Sequence, residues 1–135
     1  MPYASIPASV QTFMDHITDL CGQEHANWAE DFNAGFANTL LTTVKRRQDD
    51  TTFLLTGDIP AMWLRDSAAQ MRPYLVIAEH DPDLADMIEG LVRQQFRYIA
   101  IDPLCQCLQR GGQRQLLGSR RSIRFFQPMA VGAQI

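Results

Sequence analysis

Four residues within a short stretch of the chain have side chains suited to binding a sugar: Asp58, Trp63, Arg65 and Asp66. A carboxylate beside a guanidinium makes paired, charge-assisted hydrogen bonds to neighbouring hydroxyl groups. The face of an indole covers the apolar C–H patch of a pyranose ring. The same residue types also form structural ion pairs that cap helices. The residues alone therefore leave two interpretations open, a carbohydrate site and a structural ion pair.

These four residues fall where a loop is predicted to lead into a helix. Gly57, Asp58 and Pro60 interrupt the chain. The following residues, 61–78, have the pattern of a helix, and Pro73 predicts a kink or interruption within it. Arg65 and Asp66 would then lie in the first turns of this helix, with Asp58 in the loop before it.

The rest of the chain up to residue 103 is predominantly helical in pattern. Apolar residues recur at three- and four-residue spacing and predict three further helices, over residues 7–21, 27–44 and 84–101. Ser9 is the predicted N-cap of the first helix, Asp81-Pro82 begins the last one and Asp102-Pro103 ends it. Only residues 52–56 are predicted to be extended. Four helices in pairs with almost no strand predict an all-α fold.

Length and composition restrict the class of protein. A chain of 135 residues suffices for one domain, and its apolar fraction of 46% is ordinary for a globular protein. No apolar run approaches the roughly 18–20 residues of a membrane helix, and the start lacks a secretory signal pattern. We therefore expect a cytoplasmic protein without a membrane partner.

The charge is distributed unevenly along the chain. Residues 1–103 contain seven basic and fifteen acidic residues, whereas residues 104–135 contain five arginines and no acidic residue. Helical periodicity also disappears after Pro103. Such a tail is either a basic arm that binds an acidic partner or a segment that was never selected as protein.

Three segments resemble one known family in order and spacing. The segment TGDIPAMWLRDSAAQ, residues 56–70, resembles the signature of glycoside hydrolase family 125. NTLLTTV, residues 38–44, and RQQFRYIAIDP, residues 93–103, resemble the segments that precede and follow it. The resemblance covers about residues 30–103, and a near-match of fifteen residues is far more specific than a four-residue motif.

The resemblance implies an exo-acting α-1,6-mannosidase with an (α/α)6 barrel about three times this length or more. It also implies inversion, in which a carboxylic acid protonates the leaving oxygen and a carboxylate activates water, the two groups being roughly 6.5–9.5 Å apart. The family needs no metal, and no cofactor is expected. This chain would hold only the first hairpins of an incomplete barrel.

The family's site residues transfer only to matching positions. Arg65 and Asp66 match the pair that holds the sugar in the −1 subsite, while Trp63 and Asp58 match positions near it. The resemblance places the general acid and base beyond residue 135, so no catalytic residue is assigned. The resemblance does not support Asp102 as the general acid or base either.

Other candidate sites have weaker support. His16, His25 and His80 are scattered without metal-ligand spacing. Cys105 and Cys107 form a poor metal signal without a second pair. The arginine-rich tail belongs to no recognisable nucleic-acid-binding module. We therefore expect no metal and no nucleic-acid partner.

The tail departs from the family directly after Pro103. In the family, Ile-Asp-Pro continues into a sequence like Tyr-Ala-Asn-Ala-Phe-Asn, and here Leu-Cys-Gln-Cys-Leu-Gln follows. Codons that encode the latter can encode the former when they are read one base later. Further matches, to acidic and aromatic residues, continue to the end of the chain. The sequence thus predicts a frameshift near codon 104, from a lesion or a sequencing error, with native sequence in residues 1–103 and a disordered or non-native tail in residues 104–135.

The sequence therefore predicts a fragment of a mannosidase that is inactive alone, acting on a mannose-containing glycan when whole. Two alternatives stay open at this point. One is another six-hairpin glycosidase that acts on glucosides, and the other is a small helical interaction protein with a basic tail.

Overall fold

The computed structural model describes residues 3–56 and 60–103, and the backbone of residues 107–109. Its helical segments are α1 (Ala8–Cys21), α2 (Ala26–Asn38), a π-helical turn (Thr39–Thr43), α3 (Leu64–Met71), a 3-10 turn (Arg72–Tyr74), α4 (Leu75–Ala78) and α5 (Pro82–Ile101). Its strands are β1 (Val44–Arg46), β2 (Thr52–Leu54), β3 (Ala61–Trp63) and β4 (Cys107–Gln109). The described part is mostly helical, as predicted.

Local signals set the bounds of α5 correctly. The Asp81 carboxylate accepts a hydrogen bond from the Leu84 amide at 3.0 Å, which satisfies one of the unpaired N–H groups at the helix start. The Ser9 hydroxyl of α1 also donates to Asp81, and these two donors lower the pKa of the Asp81 carboxyl. Ser9 was the predicted N-cap of α1, but it lies inside that helix and contacts the cap of α5 instead.

The predicted helix over residues 27–44 ends earlier than expected. After Asn38 the chain makes a π-helical turn and then extends into β1. The hydroxyls of Thr39, Thr42 and Thr43 each donate to the carbonyl four residues back, a pattern that weakens and bends helices. The turn buries Leu40, and β1 buries Val44. The burial of Leu40 and Val44 in the core therefore explains why the chain leaves the predicted helix after Asn38.

Two short antiparallel pairs account for the strands. β1 pairs with β2, from Val44 opposite Leu54 to Arg46 opposite Thr52. β3 pairs with β4, with Trp63 opposite Cys107. The prediction of helix at residues 61–63 was wrong because these residues have a partner strand distant in sequence.

One continuous core joins these elements. α1 packs against α2, α4 packs against α5, and β2 lies across α5. The Phe36 and Tyr74 rings stack with their centroids 4.2 Å apart, and the Tyr74 hydroxyl donates to the Phe36 carbonyl. Burial raises the pKa of Tyr74 to about 12. The fully buried large side chains include Leu40, Phe53, Leu54, Met62, Tyr74, Leu84 and Met87.

The close approach of α5 to β2 depends on Gly90. A Cβ atom at this position would lie 2.7 Å from Thr52 Oγ1, 3.0 Å from the Asp50 carbonyl and 3.1 Å from the Thr52 nitrogen. We expect Gly90→Ala to lower the free energy of unfolding by about 1–3 kcal/mol, because the helix must move off the strand. Urea denaturation of the full-length protein, compared between parent and variant, measures this change.

Gly35 of α2 provides the matched control. A Cβ atom there would meet no heavy atom within 4 Å outside its own helix. Gly35→Ala should therefore stabilise the chain by about 0.5–1 kcal/mol through helix propensity alone. The packing argument would be wrong if both alanine variants were stabilised.

The predicted domain division places residues 104–135 outside the native part of the chain. β4 is the part of this tail that the structure describes, and the other residues lie outside the described set. Pairing through backbone groups requires no particular side chains. The presence of β4 therefore neither supports nor contradicts the prediction that residues 104–135 are non-native.

Candidate functional site

Three of the four predicted sugar-binding residues, Trp63, Arg65 and Asp66, lie at the junction between β3 and α3. Trp63 is the last residue of β3 and also the N-cap of α3, with extended backbone angles (φ −82°, ψ 128°). Its side chain is half-buried. Arg65 and Asp66 follow in the first turn of α3, where the positive end of the helix dipole favours the Asp66 carboxylate.

The structure brings Arg65 and Asp66 together. Arg65 Nε donates to Asp66 Oδ1 at 3.2 Å. The Arg65 side chain is 88% exposed and that of Asp66 is 47% exposed. An ion pair this open to solvent contributes only about 0–1 kcal/mol to the free energy of unfolding. Stabilisation of the fold therefore does not explain the pair well. Both charged groups are accessible to a ligand.

Thr56 closes the loop that leads into this junction. Its amide donates to the Ala61 carbonyl at 3.2 Å, and its buried hydroxyl oxygen accepts the Trp63 amide at 2.9 Å. These bonds join the two ends of the loop around residues 57–59. The predicted Asp58 belongs to that loop and lies outside the described residues.

A side chain from α5 holds the first turn of α3. Gln95 Nε2 donates to Ser67 Oγ at 2.9 Å and to the Leu64 carbonyl at 3.2 Å. The fully buried Ser67 hydroxyl donates to the same carbonyl at 2.9 Å. The sequence assigned no role to Thr56, Ser67 or Gln95. Each lies within a segment that resembles the family, and this resemblance was the sequence signal that could have identified them.

The scattered histidines form no metal site in the described part of the chain. His16 and His80 are exposed, and His25 stacks on Trp28 with ring centroids 4.2 Å apart. Across residues 3–56 and 60–103, no group of three or more His, Cys, Asp or Glu side chains is placed to hold a metal ion. Cys105 lies outside the described residues, and Cys107 is described only in its backbone.

Among the helices described here, none is both long enough and apolar enough to cross a membrane.

Comparison with known proteins identifies the family. The model of the family described as metal-independent alpha-mannosidase (GH125) matches residues 25–125. The chain belongs to this family. The family-125 resemblance predicted from the segment at residues 56–70 is thereby confirmed, and the family match continues past Pro103.

Two relatives show how much of a family-125 protein this chain represents. The chain is 33% identical over 129 residues to the meiotically up-regulated gene 157 protein of Schizosaccharomyces pombe, covering 88% of this chain and 25% of that protein. A solved Streptococcus pneumoniae structure, described as a metal-independent alpha mannosidase in a non-productive complex with α-1,6-mannobiose, has 37% identity and a TM-score of 0.73. The match covers 79% of this chain and 25% of that one. The chain thus spans about a quarter of the length of these relatives.

Proposed function

We propose that the whole protein is a glycoside hydrolase that releases terminal mannose from α-1,6-linked mannosides with inversion, and that this chain supplies part of its −1 subsite. The observation that carries the proposal is the Arg65–Asp66 pair, which lies in the segment that resembles the family signature and is open to solvent at the β3–α3 junction. The α-1,6-mannobiose bound to the pneumococcal relative supports the same substrate class.

Each residue of the proposed subsite has a chemical task. The Arg65 guanidinium donates to two neighbouring sugar hydroxyls, and the Asp66 carboxylate accepts from one or two. The bond between them holds both groups in one orientation before the sugar arrives. We propose that the Trp63 ring covers an apolar face of the sugar and that Asp58 lies near the same subsite.

Hydrolysis also requires two carboxyl groups on opposite sides of the glycosidic bond. One gives its proton to the leaving oxygen, and the other takes a proton from the water that attacks the anomeric carbon. We propose that both come from parts of the whole protein beyond residue 135 and that neither is Asp58, Asp66 or Asp102. The cytoplasmic location expected from the sequence remains part of this proposal.

An assay of the full-length protein tests this function. Purified protein is incubated with α-1,6-mannobiose and, in parallel, with the α-1,6-linked glucose disaccharide, while proton NMR follows the first anomer released. We expect β-mannose to appear first and the glucoside to be cleaved at least about 100-fold more slowly, since a site built to hydrogen-bond one hydroxyl arrangement rejects another. Faster glucoside cleavage would assign the protein to the other six-hairpin glycosidases, and α-mannose as first product would refute inversion.

The gene sequence tests the frameshift. We expect the frame shifted by one base after codon 103 to stay open over a length that encodes the remaining three quarters of the relatives' sequences. It should include a Trp-Leu-Trp-Glu-Arg-Lys-like segment. Sequencing across codons 100–140 and beyond decides the matter. A stop codon in the shifted frame within about the first few tens of codons would refute the frameshift, and the tail would then be the protein's own.

A further inference from the structure

We infer that Gln95 is a positioning residue for the Arg65–Asp66 pair: its side-chain amide fixes the first turn of α3 and thereby sets where the two charged groups point. This inference rests on the proposed function, because it assigns Gln95 a part in the same subsite. The family signature at residues 56–70 does not include Gln95, which lies on α5, 28 residues beyond Ser67.

The first step of the argument is the anchoring of α3 itself. This helix has only eight residues, and its N-cap Trp63 makes no side-chain capping bond. A helix this short is unstable alone. Three hydrogen bonds instead join Gln95, Ser67 and the Leu64 carbonyl into a closed triangle, with edges of 2.9, 2.9 and 3.2 Å. The triangle spans the turn that contains Arg65 and Asp66.

The second step is that Arg65 and Asp66 have little else to hold them. The Arg65 side chain donates to its own neighbour, Asp66, and is almost fully exposed. Neither residue is packed into the core, so their direction is determined by the backbone of the turn on which they lie. A turn that moves by about 1 Å changes a hydrogen-bonding geometry enough to reduce catalysis substantially.

Gln94, the residue next to Gln95, makes different contacts. Gln94 is buried, and its side-chain oxygen Oε1 accepts from Arg47 of the β1–β2 connection at 3.4 Å. The two glutamines are thus adjacent, of one residue type and on one helix, but they contact different elements. Gln94 is therefore the matched control for Gln95.

The first test follows hydrogen exchange by mass spectrometry in the full-length protein, comparing the parent with Gln95→Met and Gln94→Met. Methionine keeps the length of the side chain and removes its donor. We expect Gln95→Met to speed exchange in the amides of residues 67–71 by about 10-fold relative to those of α5. Gln94→Met should leave that ratio unchanged. Unchanged exchange in α3 of Gln95→Met would overturn the inference.

The second test measures a property that a purely structural residue would not change. In the full-length protein, Gln95→Met should lower kcat for α-1,6-mannobiose by about 10-fold, whereas Gln94→Met stays near the parent. If Gln95 acts through the pair, adding Gln95→Met to the Arg65→Ala/Asp66→Ala double variant should cause no further loss. Independent, multiplying losses would overturn the inference while leaving the subsite intact. Normal rates in Arg65→Ala and Asp66→Ala would instead refute the proposed subsite, and Gln95 would then have no pair to position.

Discussion

Replacing Arg65 or Asp66 by alanine in the full-length protein is expected to lower the rate of α-1,6-mannobiose hydrolysis by about 100-fold or more. Each residue would lose charge-assisted hydrogen bonds to the sugar, worth roughly 1.5–3 kcal/mol each, and such bonds strengthen at the transition state. The loss should come without large destabilisation, because the ion pair is exposed and contributes little to the free energy of unfolding.

Steady-state kinetics with thermal melting measure both expectations. Arg72→Ala is a suitable control, because Arg72 is an exposed arginine one residue beyond α3 and has no place in the proposed subsite. Arg65→Lys tests geometry separately from charge, since an ammonium group cannot reproduce the planar, paired donors of a guanidinium. Near-normal turnover in both Arg65→Ala and Asp66→Ala would show that the pair does not bind the substrate and is a structural ion pair.

The 135-residue chain itself is expected to have no mannosidase activity and to be marginally folded. The proposed general acid and base lie outside it. The apolar pattern of α5 also continues onto the face away from the core, where Val92, Phe96 and Ile99 recur at helical spacing and are 40%, 67% and 42% exposed. Exposed apolar faces of this kind normally pack against a partner.

Purified chain should therefore bind an apolar dye, associate with itself and melt over a broad temperature range. A variant with Val92→Gln and Phe96→Gln should bind less dye and remain monomeric, because both changes fall on the exposed face of α5 rather than in the core. Hydrolysis of α-1,6-mannobiose at the rate of an intact relative would contradict this prediction. So would a sharp two-state melt of a monodisperse monomer, because residues 1–135 would then form a complete domain.

Features that depend on neighbouring residues were predictable from the sequence. α5 begins where Asp81 caps it and ends at Asp102, because both signals act within one helical turn. α1 has almost the predicted bounds. The family could likewise be identified from the segment at residues 56–70, because a linear motif keeps its order whatever the fold around it.

Other features were decided only by the tertiary structure. Val44 and residues 61–63 fell within predicted helices but lie in strands, because they pair with Leu54 and with residues 107–109. The link from Gln95 to the first turn of α3 likewise connects residues about thirty positions apart. The residue types of Arg65 and Asp66 alone left both a sugar site and a structural ion pair open. What the fold added was their exposure, because burial depends on the whole set of packed elements and not on local spacing.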